Sequence, residues 1–168
     1  VETSIFPVLN ESCTLPCVKI QAIRSRLQTH LSRLKERYMV DIGIGIIGGG
    51  YMGKAHSVAM ASVGAVFNTK LRPKLEMIAA STLENAKKYG NEFGFKKATG
   101  NWLELVNDSS VEAVIIASPQ NTHYEIAKAA LSLGKPVLCE KPLADTIENA
   151  RRMVADAENA NIVNMIGF

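Results

Sequence analysis

From residue 41 onward, short apolar runs and longer stretches of helical spacing take turns along the chain. Runs at 42–47, 75–80, 96–99, 111–117, 137–140 and 162–167 are of strand length and bounded by turn residues, which predicts six strands. The fourth, VEAVIIA at 111–117, is nearly continuous in apolar residues, as a central parallel strand covered on both faces requires. Between the strands, helices are expected over 51–65, 83–89, briefly from Trp102, over 122–133, and from Asp145 or Thr146 to 159. Ser81 or Thr82, Asn101, and Asp145 or Thr146 stand where N-caps belong, while Gly90, Gly94 and Gly134 stand at expected ends. In the helix over 51–65, Ala55, Val58, Ala59 and Ser62 are small enough to lie close to a sheet, and 66–73 reads as a long connection. Alternating strands and helices predict an α/β, doubly wound parallel sheet with right-handed crossovers. The expected Rossmann-like order is 3-2-1-4-5-6, with ligands at the carboxyl ends of the first and fourth strands, where the order reverses.

Ahead of the sheet, Ile20, Ile23, Leu27, Leu31, Leu34 and Tyr38 recur at helical spacing over 19–39. Arg24, Arg26, Arg33, Lys35 and Arg37 lie largely away from them, forming a basic amphipathic helix. Its basic face is either a solvated side of a packed helix or a contact for nucleic acid or a membrane. Residues 1–18, with Pro7 and Pro16, read as loop. The division expected is an extension over 1–38 and a nucleotide-binding unit over 39–168, with Met39 as a natural start residue. Composition narrows the classes. Residues 1–40 hold six Lys/Arg against three Glu, whereas 41–168 hold thirteen of each sign, so the main unit offers no nucleic-acid footprint. No apolar stretch approaches the roughly 18 residues of a membrane span, and without a basic start followed by an apolar core no secretory leader is expected. Three cysteines, Cys13, Cys17 and Cys139, are too few for a disulfide scaffold and suit a reducing, cytoplasmic setting. Cys13 and Cys17 lack partner ligands at metal-binding spacing, so no metal site is expected.

Chemistry concentrates at the strand ends. Gly48-Gly49-Gly50-Tyr51-Met52-Gly53 carries the GxGxxG spacing between a strand and a helix. Gly48 serves the turn, Gly50 admits a pyrophosphate to the backbone, and Gly53 lets helix and strand approach. The first-turn amides, those of Tyr51 and Met52 among them, face the phosphates. After the second strand, a carboxylate would bond the 2′-OH of NAD and repel a 2′-phosphate. The chain instead has Ala80-Ser81-Thr82, with Lys87 and Lys88 close by, which favours NADP over NAD; Ser81 and Thr82 are equally ordinary helix caps. After the fourth strand, Ser118, Pro119, Asn121 and His123 lie across the crevice. Asn121 and His123 are candidates for the nicotinamide ribose or the substrate, although His123 could also be a surface residue capping its own turn. After the fifth strand come Glu140, Lys141 and Pro142. A lysine near the nicotinamide could bond a substrate hydroxyl and assist its proton transfer. Glu140 could bond the ribose or orient that lysine, and a cis bond before Pro142 is compatible with such a turn.

The glycine loop with His56, the block AVIIASPQNTH and above all GKPVLCEKPLA (134–144) resemble the N-terminal domain of the glucose–fructose oxidoreductase, inositol dehydrogenase and rhizopine catabolism (Gfo/Idh/MocA) family. The resemblance runs from about Asp41 to Phe168. It implies an NAD(P)-dependent oxidoreductase acting on a ring hydroxyl or ketone of a sugar or cyclitol, with room for self-association. It also implies that Lys141 is catalytic, that His123 is the polar residue after the fourth strand, and that Ala80 stands at the usual acidic position. Family members carry a second, substrate-binding domain beyond a point resembling Ile166-Gly167-Phe168, so the chain reads as truncated there. Two other functions fit the same residues: a non-catalytic dinucleotide-binding or regulatory module, and an inactive fragment of such an enzyme.

Overall fold

The computed structural model describes residues 39–168; the expected basic helix over 19–38 lies outside the described residues. Six strands form one parallel sheet: β1 (Val40–Ile47), β2 (Leu71–Ala79), β3 (Lys97–Thr99), β4 (Ala113–Ile116), β5 (Val137–Glu140) and β6 (Asn164–Gly167). Their order is β3-β2-β1-β4-β5-β6, so the direction of winding reverses between β1 and β4 as the alternation predicts. The helices are α1 (Tyr51–Val66), α2 (Leu83–Phe93), α3 (Trp102–Asn107), α4 (His123–Ser132) and α5 (Ile147–Ala160), with a 3-10 turn at Gln120–Thr122 before α4.

Strand alternation divides the core between the two faces of the sheet. On one face Ile47, Val114, Ile116, Val137 and Cys139 meet Leu105 and Val106 of α3, Ile126 and Ala130 of α4, and Met153 of α5. On the other, Ile44, Ile46 and Ile115 meet Met60 of α1. Three helix starts, those of α2, α3 and α5, are capped by a side chain. Thr82 accepts from the Asn85 amide (3.2 Å), Asn101 from Leu103 (3.0 Å) and Thr146 from Asn149 (3.1 Å).

Several expected boundaries move. β2 begins at Leu71, not at 75, so the connection after α1 is shorter than it reads. Pro73 is tolerated inside this strand because β3 pairs only with Met77–Ala79, leaving the earlier part of β2 an edge on that side. α2 runs through Gly90 to Phe93 and stops at Gly94, which takes a left-handed φ of 83°. Gly90 is buried within the helix, and a Cβ there would make ordinary contact with that of Ala98, at 3.4 Å. The inward face of α1 is Gly53, Ser57 and Met60, whereas Ala55, Val58 and Ala59 face solvent. Gly53 sets this phase, since it alone can sit against the Gly48 carbonyl, where any side chain would overlap.

Candidate functional site

Parallel register lines up the loops that leave the sheet. Ala79 of β2 pairs with Ile47 of β1, Ile47 with Ile116 of β4, and Ile116 with Cys139 of β5. Two residues beyond each member of that row stand Ser81, Gly49, Ser118 and Lys141. Four segments that are remote in sequence therefore emerge side by side at one edge of the sheet.

The glycine loop is fastened at its start. Gly48 donates its amide to the Ala79 carbonyl (2.8 Å), and Ala117 donates to the carbonyl of Ile47 (2.8 Å). Gly48 has φ 104°, and a Cβ there would also collide with the carbonyl of Ala117, so glycine is required on both counts. Gly50 precedes α1 with no side-chain cap, and the first turn of the helix has no acidic residue. Amides of that turn have no carbonyl one turn back to accept them, which leaves donors and the positive end of the helix dipole for an anion. A Cβ on Gly50 would meet nothing within 4 Å, so the space in front of it is open.

That space belongs to a cleft of about 700 Å³. Gly48, Gly49 and Gly50 form its floor; Ala80, Ser81, Asn85 and Tyr89 one wall; Ala117, Ser118, Pro119 and Thr122 the other; and Trp102 with Gly100 an end. Among the described residues, no carboxylate stands in these walls. A diphosphate fits such a floor: the loop carries amides, lacks side chains and has no negative charge to repel it. Of the residues singled out from sequence, Gly48, Gly50, Ser81, Ser118 and Pro119 line the cleft. Gly53 lies behind the loop, and Thr82 spends its hydroxyl as the cap of α2. Tyr51 is 87% exposed at the start of α1, with Met52 beside it, and Asn121 is exposed on the 3-10 turn. None of these three is in the walls.

His123 departs from its expectation. It is neither a surface cap nor a side chain facing the crevice, being 1% exposed. Its Nε2 lies 2.9 Å from the Ser118 carbonyl, and its Nδ1 lies 3.1 Å from that of Pro142 and 3.3 Å from that of Leu143. With both ring nitrogens on main-chain oxygens, it ties the turn after β4 to the turn after β5 and has no atom left for a substrate.

The turn after β5 has a second anchor that the sequence motifs did not disclose. Glu140 is 5% exposed, and its Oε1 lies 2.8 Å from Nε2 of His56 on α1. Its Oε2 accepts the Lys141 amide at 3.3 Å. Gly167 of β6 completes the enclosure, since a Cβ there would stand 2.8 Å from the same carboxylate. The Lys141–Pro142 bond is cis, and Lys141 itself is exposed. Cys139, next to this carboxylate, is buried, and burial together with the Glu140 charge pushes its thiol up to about 12. It is not a nucleophile.

Comparison with known proteins agrees with this geometry. Residues 42–168 match the profile of the Gfo/Idh/MocA oxidoreductase family, NAD-binding Rossmann fold. Levoglucosan dehydrogenase from Pseudarthrobacter phenanthrenivorans is 40% identical over 131 residues, covering 77% of this chain and 34% of that protein. Inositol 2-dehydrogenase 2 from Saccharopolyspora erythraea is 37% identical over 136 residues, covering 77% and 37%. Among solved structures, levoglucosan dehydrogenase in complex with NADH and levoglucosan superposes with a TM-score of 0.74 at 39% identity, over 76% of this chain and 34% of that one. The chain thus spans about a third of the length of the relatives it matches.

Proposed function

The chain belongs to the Gfo/Idh/MocA oxidoreductase family with an NAD-binding Rossmann fold, and on that premise we propose that it is the cofactor-binding part of an NAD(P)-dependent dehydrogenase. The reaction proposed moves a hydride between nicotinamide and a ring carbon of a sugar or cyclitol, interconverting hydroxyl and ketone. Supporting this reading most directly is the row of strand ends that brings a capless glycine loop after β1 and Lys141 after β5 to the same edge of one sheet, with only β4 between those strands. The substrate class is suggested by relatives named for levoglucosan and inositol.

Gly48, Gly50 and the first-turn amides of α1, those of Tyr51, Met52 and Gly53, would hold the diphosphate. Ser118, Pro119 and Asn121 would border the nicotinamide half. When bound, the nicotinamide supplies the hydride acceptor or donor. Lys141 would hold the substrate oxygen and carry its proton as the carbon changes oxidation state, while Glu140 keeps the lysine's turn in place. His123 acts in this scheme as a positioning residue and not as a proton carrier. NADP is the cofactor form preferred: Ala80 offers no carboxylate against a 2′-phosphate, and Ser81 in the wall can donate to one.

Titration of the purified chain with NADPH and NADH tests the reading, with binding of both and tighter binding of NADPH expected. The reverse order would overturn the NADP preference, and binding of neither would overturn the cofactor role. In protein that also carries the substrate-binding part, Lys141→Ala should lower kcat by about 100-fold or more and leave cofactor Kd within about twofold. Equal losses in both would remove Lys141 from the chemistry.

A further inference from the structure

Gly49 occupies a position that the GxGxxG spacing leaves to any residue, so a glycine there needs its own reason. The structure supplies one on α2. A Cβ on Gly49 would overlap the ring of Tyr89, at Cγ as well as at the edge carbons, so the phenol ring lies flat on the middle of the loop. The ring is not free to swing aside. It stacks on Phe93 one turn further along α2, with centroids 5.8 Å apart and planes 8° from parallel. Lys54 of α1 stands 5.8 Å over the Phe93 ring and pairs with Glu92 at 2.8 Å, so the stack also joins the two helices flanking the loop. Tyr89 and Gly49 line the same cleft as Gly50, in front of which the space is open.

We propose that Tyr89 is a cofactor-binding residue: its ring, seated on Gly49, is the surface against which the dinucleotide packs beside Gly50. The inference rests on the reading of the cleft as a dinucleotide site. A flat aromatic ring offers a broad apolar contact to a ribose or base and loses little freedom on binding, because it is already stacked. The ring, not its hydroxyl, carries the contact, and Gly49 is present to admit it.

The test uses the whole chain, with quenching of Trp102, the only tryptophan in the sequence and itself in the cleft wall, read against NADPH and NADH. Tyr89→Phe should bind within about threefold of the parent, whereas Tyr89→Ala should weaken binding about tenfold. Gly49→Ala should weaken binding more than Tyr89→Ala does, and adding Tyr89→Ala to it should recover part of the loss by removing the overlap. If Gly49→Ala is too unstable to titrate, a higher melting temperature for the double variant reports the same coupling. Parent-like binding by Tyr89→Ala, or a double variant no better than Gly49→Ala in either measurement, would overturn the role of Tyr89 alone. A parent chain that binds neither nucleotide would instead bring down the dinucleotide reading, and this inference with it.

Discussion

Asp108 shows how much one side chain can organise at the bottom of the sheet, away from the cleft. It accepts from Lys97 Nζ (2.7 Å), from the Ser110 amide (2.8 Å) and from the Ser110 hydroxyl (2.6 Å), while its own carbonyl accepts Lys135 Nζ (2.8 Å). The Lys97 hydrogen bond, followed by those of Ser110, holds its carboxyl at about 2, below the ordinary 3.8. A depressed folded-state value means that the stabilisation is present above the unfolded value and is lost as pH falls through 3.8 towards 2. Asp108→Asn should therefore lower Tm at pH 6–7, by about 2–4 °C if the half-exposed pair is worth on the order of 1 kcal/mol. Thermal melts from pH 7 to pH 2 should show the two proteins converging at the acid end; a constant gap would count against the ionic origin. Residues of this kind are only partly legible in a sequence. Gly48, Gly50 and Gly53 declare themselves because their spacing is local. The burial of His123 does not, because the oxygens that engage it on one side belong to Pro142 and Leu143, in the turn after another strand.

At the scale of elements, alternation was sufficient to read the strand order, since right-handed crossovers leave few other arrangements. The phase of α1 was not readable from its apolar pattern. Its small residues are spread around the helix, and the deciding contact is a backbone one, Gly53 on Gly48. The same helix carries two side chains that meet carboxylates in contrasting settings. Lys54–Glu92 is 57% and 43% exposed, whereas His56–Glu140 is 15% and 7% exposed. Removing a partner from the enclosed pair strands a carboxylate, while an exposed pair contributes little. His56→Ala should accordingly cost several degrees of Tm, roughly 5 °C or more, against about 2 °C or less for Lys54→Ala. Equal losses would show that Glu140 finds water in place of the imidazole.

For the molecule as a whole, the described residues 39–168 supply the cleft-lining residues named above and the six strands of the sheet. A shortened chain beginning at Met39 should bind NADPH within about twofold of the full 168 residues, as measured by Trp102 quenching. A loss beyond tenfold would give the extension a part in the site. No helix among the described residues is long and apolar enough to cross a membrane. The glycine loop and the turn after β5 are also mechanically one piece. Helix α1 bears on the Gly48 carbonyl through Gly53 and reaches Glu140 through His56, a single turn further on. It works as a beam pinned at two points, with the glycine loop at one pin and Glu140, next to Lys141, at the other. Whatever tilts the glycine loop is therefore felt at the turn that carries Lys141, and on the proposed reading, docking a cofactor and setting the height of that lysine would be one adjustment.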